Sequence, residues 1–449
     1  MNKKQTPIIV KSKELYNRAK PLIPGVTQTL AKGPTQFSQG VSPIYLQAGK
    51  GCRVTDVDGN EYIDYCMAIG PIILGYSYPA VDEAVRRQLK DGITFSLMHP
   101  LEVELAELLV ELIPCAESVR YGKNGCDVTT AAIRLSRAAT GREHVITCGY
   151  HGWHDWYITV TDRNKGIPSS VNELTTTFQY NDIDSLKEAF NVFKGDVACV
   201  IMEPLTIEPP KDGFLEAVRE LTLKEGSLLI FDEIWTGFRF AIGGVQEMTG
   251  VIPDLATFSK AMANGMPISA IVGKRKYMDL FEKDVFYYLT YGGEALSLAA
   301  AVATINEIRE KNVIEYLYKQ GGKLKEGYNE IAKRIEVYHL TKCVGYPCRS
   351  VITFEANAGF DPLEMKTLVQ QEMIKRGILW AGFHNISYSH SDTEIEITLS
   401  AYEEALSVLR KAAMSGNIKS FLEGSVVSPV FRRLTNFHYH KERFKKIIG

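Results

Sequence analysis

The sequence lacks several features that would assign it to a special class of protein. No apolar run approaches the roughly 20 residues of a membrane span, and the first 15 residues hold no apolar segment typical of a signal peptide. The formal net charge is −2, and the one block of like charge is the basic tail HYHKERFKK, residues 438–446. Nucleic-acid binding requires a concentrated basic surface. We therefore predict a cytoplasmic protein that binds neither nucleic acid nor membrane.

Paired cysteines are also missing. The sequence contains no CxxC motif, and its cysteines are scattered, several of them inside apolar runs. Scattered cysteines of this kind are typical of a reduced compartment, where they act as small buried apolar residues. We predict buried, reduced thiols at eight positions: Cys52, Cys66, Cys115, Cys126, Cys148, Cys199, Cys343 and Cys348.

The composition is that of an ordinary globular protein, with 45% hydrophobic and 23% charged residues in a chain of 449. From about residue 78 to about 310, short β-like runs alternate with helical stretches, which is typical of a helix-covered, mostly parallel sheet. An α+β pattern follows it. We predict an α/β fold with these segments: 1–65, 66–315 as the large domain, 316–421 as an α+β domain, and 422–449 as a basic extension.

The stretch 227–260 delivers charged residues to the ends of two predicted buried strands. Asp232 follows the run LLIF, and Lys260 follows LATFS. Carboxyl ends of parallel strands form the ligand edge of such a sheet. A lysine there would be desolvated and usable as an amine nucleophile, and the aspartate could meet a protonated ring nitrogen. The alternatives are a surface lysine, a structural salt bridge, or a metal site of Asp232 with Glu233.

Two glycine-containing turns precede predicted helices. The first, Lys123–Asp127, reads KNGCD and follows the run VRY; the second, Thr290–Glu294, reads TYGGE. The free amides at a helix start attract anions, so each turn is a candidate phosphate site. An ordinary turn capped by Asp127 is the competing interpretation of the first.

Residues 149–157, GYHGWHDWY, form a predicted loop that is dense in aromatic and imidazole side chains. The composition is typical of a stacking surface, and equally of rings that pack beneath a neighbouring segment. His151, His154 and Asp155 also raise the question of a metal. Because HxxHD lacks the i, i+4 spacing of a helical site, we predict no metal.

A nucleophilic lysine, a ring-nitrogen aspartate, an aromatic loop and phosphate turns together constitute the equipment for pyridoxal phosphate. The chain resembles the class III aminotransferases of fold type I, and in particular the branch of glutamate-1-semialdehyde 2,1-aminomutase. The resemblance rests on the stretches DVDGNEYIDY, VRYGKNGCDVTTAAIRLSRAATGR, YHG, FDEIWTGFRF, PDLATFSKAMANGMPISA and TYGGEALSLAAA. It implies pyridoxal 5′-phosphate as cofactor and a small domain built from both ends of the chain.

Carried over by position, the resemblance implies a role for each motif residue. Lys260 forms the Schiff base with the cofactor and later moves the proton, and Asp232 keeps the ring nitrogen protonated. The other implied cofactor contacts are Tyr150 stacked on the ring, His151 beside it, Asn124 and the amides of Gly125 and Cys126 at the phosphate, Glu203 at the cofactor edge, and Thr290 at the phosphate of a neighbouring subunit. A homodimer with shared active sites is therefore implied.

The sequence departs from the family at the positions that would bind a substrate carboxylate. The aminomutase branch typically has NSPVR early in the chain, whereas the aligned stretch here, TQTLAK, has Ala31 in place of the arginine, with Lys32 beside it. The loop FHNISYSH, residues 383–390, also lacks the arginine that enzymes acting on α-keto acids carry. A bidentate carboxylate clamp is therefore not evident.

Neutral and aromatic side chains occupy the same regions and suit a polyhydroxylated partner. The tentative substrate residues are Lys32, Trp153, His154, Asn385 and Tyr388, with His390 beside them. We predict an aminotransferase that moves an amino group from an amino acid, glutamate by family habit, to a carbonyl on a sugar or another polar metabolite. The alternatives are a 2,1-aminomutase and a non-catalytic binding paralogue.

Overall fold

The computed structural model describes residues 6–356 and 359–428, and their contacts divide into two units. Among the described residues, the first unit combines 6–79 with 312–356 and 359–428, and the second spans 80–311. The sequence places the domain boundaries at 65/66 and 315/316, whereas the contacts divide the chain at 79/80 and 311/312.

The helices of the described residues agree with the sequence periodicity. They are α1 Val10–Ala19, α2 Pro79–Asp91, α3 Pro100–Leu112, α4 Gly125–Thr140, α5 Asp155–Ile158, α6 Ser169–Asn172, α7 Ile183–Val192, α8 Phe214–Glu225, α9 Val245–Thr249, α10 Arg275–Met278, α11 Ala295–Glu310, α12 Val313–Arg334, α13 Pro362–Lys375 and α14 Asp392–Met414.

The strands are shorter and form three sheets. They are β1 Leu46–Lys50, β2 Arg53–Asp56, β3 Glu61–Asp64, β4 Ser118–Gly122, β5 His144–Cys148, β6 Thr175–Thr177, β7 Val197–Met202, β8 Leu228–Asp232, β9 Leu255–Phe258, β10 Ser269–Gly273, β11 Thr341–Tyr346, β12 Arg349–Phe354, β13 Ile378–Leu379 and β14 Phe383–Asn385.

The second unit is built on a sheet of seven strands in the order β4-β10-β9-β8-β7-β5-β6. Its pairings are parallel from β9 through β6, and β10 runs antiparallel to both of its neighbours. All six residues of VACVIM in β7 are buried, as a strand covered by helices on both faces requires. The predicted α/β class and mostly parallel sheet are confirmed.

Helix α4 packs its apolar face on this sheet, and local sequence fixes both of its ends. At the start, Asp127 accepts hydrogen bonds from the backbone N–H groups of Asn124 (2.7 Å) and Lys123 (3.0 Å). At the end, Gly141 has a φ of +67°, which glycine tolerates best. Val128, Ile133 and Leu135 of α4 join the buried cluster beneath the helix. The start of α4 is thereby held firmly at the sheet edge.

The first unit is an α+β arrangement of two small sheets, ordered β1-β2-β3-β13 and β11-β12-β14, with α12, α13 and α14. The turn at Asp58-Gly59 joins β2 and β3 as an antiparallel pair. The run ILWAGF does not form one strand. It divides into β13, which pairs with β3, and the start of β14, which pairs with β12, because Gly382 turns the chain at a φ of +108°.

Three further findings bear on predictions made from the sequence. All eight cysteines are free and buried. Among the described residues, no helix is both long enough and apolar enough to cross a membrane. Residues 422–428, the beginning of the predicted extension, belong to the first unit, where the Val427 N–H donates to Thr367 Oγ1 at 3.1 Å. The remainder, 429–449, lies outside the described residues.

Candidate active site

The two charged strand ends meet at one edge of the large sheet. Strands β8 and β9 are parallel neighbours, and Asp232 pairs with Thr257 in their register. Asp232 Oδ1 accepts hydrogen bonds from the Thr257 hydroxyl at 3.3 Å and from the Ile234 N–H at 3.1 Å. Lys260 follows three residues after Thr257, so both groups are delivered to the same edge.

The carboxylate of Asp232 is almost fully buried and contacts an imidazole. His151 Nδ1 lies 2.7 Å from Asp232 Oδ2, and His151 Nε2 lies 3.2 Å from the carbonyl oxygen of Cys148. Asp232 and His151 are each 2% exposed. The rings of Trp156 and Tyr157 pack around the imidazole, with centroids 6.1 Å and 5.3 Å away. His151 therefore stands behind the aspartate and fixes its orientation.

A second carboxyl group, Glu203, follows β7, the strand next to β8. Burial, and then the charge of Asp232, raise the pKa of Glu203. The positive charges of His151 and Lys260 and the backbone N–H of Tyr150, 2.9 Å from Oε2, act in the opposite direction. Two acidic and two basic side chains thus lie at this edge, close enough for the other three to shift the pKa of Glu203.

Lys260 begins a 3-10 turn, Lys260–Ala263, and its own φ is +44°. A non-glycine residue with positive φ is uncommon, and such backbone strain clusters at functional sites. The ammonium nitrogen lies 5.9 Å from the centre of the Trp235 ring, within the distance of a cation–π contact. The turn places the amine at the sheet edge, whereas continuation of the strand would direct successive side chains to opposite faces of the sheet.

The start of α4 forms a shallow cradle beside these charges. The first-turn amides of Gly125 and Cys126 have no intrahelical acceptor by position. A Cβ at Gly125 would lie 2.7 Å from Ile234 Cδ1, and one at Gly152 would lie 2.6 Å from the Cβ of Cys126. The loop around Gly152, whose φ is +106°, therefore passes directly over the helix start. An anion held there would meet free amides and the positive end of the helix dipole.

The two predicted anion turns are neighbours. Lys123 Nζ and Glu294 Oε1 form a largely buried ion pair at 2.7 Å, and Glu294 also caps α11 by accepting from the Leu296 and Ser297 N–H groups. Thr290, at the other end of its turn, is exposed. The ion pair therefore ties the second turn to the first and leaves Thr290 facing solvent.

Comparison with known proteins decides the family. Residues 36–389 match the model of the class-III aminotransferases. The chain belongs to this family. It is 38% identical to the 3-aminobutyryl-CoA aminotransferase of Cloacimonas acidaminovorans, over 90% of this chain and 98% of the relative. It is 34% identical to the glutamate-1-semialdehyde 2,1-aminomutase of Methanosphaera stadtmanae, over 89% and 99% of the two chains.

Solved structures agree with this class-III aminotransferase assignment. The FumI protein of Sphingopyxis sp. MTA144, solved as a PLP internal aldimine form, superposes with a TM-score of 0.83 at 29% identity, covering 90% of this chain and 97% of that one. An omega-transaminase from Sphaerobacter thermophilus superposes with a TM-score of 0.81 at 26% identity, covering 91% and 100%. The chain is an enzyme of fold type I, and pyridoxal phosphate is its cofactor.

The residues of this class-III aminotransferase fit that cofactor. A basic amine and a buried carboxylate share one sheet edge, and the first-turn amides of Gly125 and Cys126 have no intrahelical acceptor by position. When bound, the cofactor supplies an electron sink for the substrate's Cα–H bond. Asp232 would hold the ring nitrogen, the α4 cradle the phosphate, and Lys260 the carbonyl carbon.

The aromatic loop presents some of its rings and buries others. Tyr150 and Trp153 are 46% and 69% exposed, so both are open to a ligand. Trp156 and Tyr157 are buried. His154 is held by Thr130 Oγ1, 2.7 Å from Nδ1.

One group of metal-ligand types lies close together in the described part of the chain. The ligand atoms of Cys126, Asp127 and His154 lie within 4.8 Å of one another. However, Asp127 already caps α4 and His154 contacts Thr130. We assign no metal to this group.

The remaining predicted substrate residues lie in the first unit. Lys32 is exposed beside Ala31, and both line a cavity of about 270 Å³. Asn385 is 1% exposed and donates its side-chain amide to the Cys66 carbonyl at 2.9 Å. The Tyr388 ring stacks edge-on against Tyr316 at 4.9 Å.

Sequence reasoning missed three groups that shape the edge. Thr257 bonds to Asp232, Trp235 lies near Lys260, and the Cys148 carbonyl faces His151. Thr257 had a detectable signal, because a hydroxyl inside the apolar run LATF must find a partner when it is buried. The Cys148 carbonyl had no sequence signal, because every residue carries a backbone carbonyl.

Proposed function

We propose that this enzyme transfers an amino group from L-glutamate to a carbonyl carbon that bears no free carboxylate beside it. The observation that carries the proposal is Ala31. It lines the first-unit cavity at the position where the aminomutase branch has its carboxylate-binding arginine. Lys32 offers only a point charge, and a lysine is no substitute for a bidentate arginine. An acceptor with a neutral reacting end requires no clamp at position 31, and the α-carboxylate of the glutamate donor must then be bound by other residues.

Two kinds of acceptor meet this description. The first is a keto-sugar. Trp153 supports it, because its ring is 69% exposed and an exposed aromatic face can stack on a sugar. The second is a 3-oxoacyl thioester, supported by the Cloacimonas relative, which is named for a coenzyme A ester of 3-aminobutyrate. The cavity beside Ala31 also has apolar walls that include Phe37, Ile44 and Phe383.

A homodimer is part of this proposal. Thr290 is exposed on its turn. Its hydroxyl is therefore accessible to a phosphate bound by a second subunit. In the proposed assembly the Thr290 hydroxyl reaches the cofactor phosphate of the second copy. The proposal predicts that a Thr290→Val variant binds pyridoxal phosphate more weakly while remaining dimeric by light scattering.

The experiment has two half-reactions that are followed separately by absorbance. The enzyme loaded with pyridoxal phosphate is first mixed with L-glutamate, and we expect conversion to pyridoxamine phosphate with release of 2-oxoglutarate. The product form is then offered a nucleotide-linked keto-sugar, a 3-oxoacyl-CoA and pyruvate. Return of the pyridoxal spectrum with a neutral acceptor, and not with pyruvate, is expected. Efficient return with pyruvate alone would contradict the proposal.

A matched pair of variants tests the role of position 31. Ala31→Arg restores a planar guanidinium, and Ala31→Met adds similar length without charge. We expect Ala31→Arg alone to gain activity toward acceptors with a carboxylate beside the carbonyl. Equal behaviour of the two variants would show that position 31 does not select the acceptor.

The second candidate is intramolecular amine transfer. Relatives called glutamate-1-semialdehyde 2,1-aminomutase match at 33–40% identity, and one of them, from Acetivibrio thermocellus, is 40% identical over 72% of this chain. This candidate predicts turnover of glutamate-1-semialdehyde to 5-aminolevulinate without any external donor. The glutamate half-reaction distinguishes the two candidates, because an aminomutase turns over its substrate without releasing 2-oxoglutarate.

A further inference from the structure

The last described residues run antiparallel to a segment that borders the first-unit cavity. The N–H of Ser425 donates to the Gln39 carbonyl at 3.3 Å, and the N–H of Ser428 donates to the Thr35 carbonyl at 2.8 Å. Residue numbers rise from 425 to 428 along one segment while they fall from 39 to 35 along its partner. The chain therefore leaves Ser428 in the direction of residues 31–34.

Buried contacts hold this run on the first unit. Val427 is 3% exposed, and its N–H donates to the Thr367 hydroxyl at 3.1 Å. A Cβ at Gly424 would lie 2.4 Å from the Gln39 carbonyl oxygen, so the two segments are in close contact. The point from which residues 429–449 extend is therefore set by the first unit.

The residues toward which the chain is directed, Ala31, Lys32 and Pro34, line the cavity. Its volume of about 270 Å³ is below the roughly 300–1,000 Å³ of pockets that enclose a drug-sized ligand. A nucleotide-linked sugar or an acyl-CoA is larger still, so only its reacting end would fit inside. The diphosphate would then lie at the rim, where Lys32 is the single basic side chain among the described residues that line the cavity. One ammonium group does not balance the two or more negative charges of a diphosphate.

The sequence that follows Ser428 supplies further cations. Residues 429–449 contain six lysines and arginines and one glutamate, a formal charge of +5, whereas the whole chain carries −2. Arg432 and Arg433 come four and five residues after Ser428. Because an extended chain spans at most about 3.3–3.6 Å per residue, both lie within about 18 Å of Ser428. The two arginines are therefore confined to the neighbourhood of the rim.

We propose that Arg432 and Arg433, with Lys32, bind the diphosphate of the acceptor at the rim of the cavity. This rests on the proposed function, because a nucleotide-linked keto-sugar and a 3-oxoacyl-CoA each carry a nucleoside diphosphate. A guanidinium group offers paired, coplanar N–H donors that match the oxygens of a phosphate. The cavity receives the carbonyl end, and the arginines hold the carrier.

Calorimetric titration of the holoenzyme, saturated with pyridoxal phosphate, tests this binding without turnover. The ligands are UDP, coenzyme A and inorganic pyrophosphate. The variants are Arg432→Gln/Arg433→Gln and, as a control with the same change of charge, Lys445→Gln/Lys446→Gln. Loss of hydrogen bonds between charged groups predicts a roughly 10- to 100-fold weaker Kd for the arginine variant and an unchanged Kd for the lysine variant. Lys32→Gln should also weaken binding.

The comparison of UDP with coenzyme A distinguishes the two carriers, and binding of either one that is weakened in the arginine variant supports the proposal. Equal weakening by the arginine and lysine variants would show an unspecific effect of net charge and would overturn it. An unchanged Kd in the arginine variant would do the same. Retention of the wild type on heparin, without binding of any of the three ligands, would assign residues 429–449 to a polyanion and also overturn the proposal.

The second half-reaction separates this inference from the proposed function. The pyridoxamine form is mixed with a free keto-sugar, which has no diphosphate, and with the nucleotide-linked form of the same sugar. We expect the arginine variant to match the wild type with the free sugar and to require higher concentrations of the nucleotide-linked one. If the wild type converts none of the neutral acceptors, the proposed acceptor class fails, and the calorimetry still decides the role of the arginines.

Discussion

Replacing Gly152 by alanine tests whether the aromatic loop must lie against the start of α4. Gly152 has a φ of +106°, and the added Cβ would lie 2.6 Å from the Cβ and 3.2 Å from the Cα of Cys126. The backbone conformation alone costs a residue with a side chain about 1–2 kcal/mol. Forcing a methyl group against a fixed helix start adds about 1–3 kcal/mol. The sum is about 2–5 kcal/mol.

Gly141 provides the matched control. It also has positive φ, +67°, at the other end of the same helix, but nothing lies within 4 Å of the added Cβ. Gly141→Ala therefore carries the backbone cost without the collision, and the effect of Gly-to-Ala on the unfolded chain is common to both variants. The difference between them reports the contact between the loop and the helix, together with the greater backbone strain at φ +106° than at φ +67°.

Two assays read out the difference. We expect the thermal unfolding midpoint of the apoenzyme to fall further for Gly152→Ala than for Gly141→Ala. Pyridoxal phosphate should also bind more weakly to Gly152→Ala, because the collision displaces the Cys126 amide of the cradle. If the two variants match in both stability and cofactor affinity, the loop does not shape the cradle and the reasoning is wrong.

Three further predictions follow from contacts of the large sheet. Lys260→Ala should retain no cofactor on the protein after borohydride reduction and denaturing gel filtration. Lys260→Arg keeps the charge but lacks the amine, so it should also retain no cofactor. Asp254→Asn should lower the free energy of unfolding by about 3–5 kcal/mol, because it removes the carboxylate that pairs with Arg219 (2.6 and 3.1 Å) and Lys274 (3.0 Å). An unchanged midpoint of chemical unfolding would contradict this. Burial raises the pKa of Glu233 from 4.5 to about 7, so its proton binds more tightly in the folded state. Stability is then full below pH 4.5 and falls as the pH rises through about 7. Glu233→Gln should flatten the profile of thermal midpoint against pH in that interval, and an unaltered slope would assign the effect elsewhere.

Local signals predicted most of the large sheet. Continuous apolar runs such as VACVIM and LLIF identify buried parallel strands because a strand covered on both faces admits no polar alternation. The helix that starts at Asn124 was recognisable from its cap and its 3.6-residue period. Even the edge shared by Asp232 and Lys260 followed from chain direction alone, since parallel strands place their carboxyl ends together.

The sequence predicted less well where long-range contacts decide the outcome. ILWAGF is apolar throughout, and its division between two sheets depends on the turn at Gly382 together with the partners of its two halves, β3 and β12. Short polar strands such as TTT in β6 carry no hydrophobic pattern and form because β5 offers an open edge. Likewise, the residues beside Asp232 come from separate loops, and no spacing in the sequence announces that His151 will contact it.

Charge balance connects these contacts to the chemistry. Two carboxyl groups, Asp232 and Glu203, and two basic side chains, His151 and Lys260, lie at the sheet edge. Asp232 is already contacted by His151, Ile234 and Thr257 in the absence of the cofactor. A phosphate adds negative charge, and the start of α4 supplies the matching field without any further cation. The protein therefore presents a fixed electrostatic frame before the ligand binds, and binding requires little rearrangement of charge. Such preorganisation would allow a buried aspartate to stabilise a protonated ring nitrogen rather than merely to neutralise its neighbours.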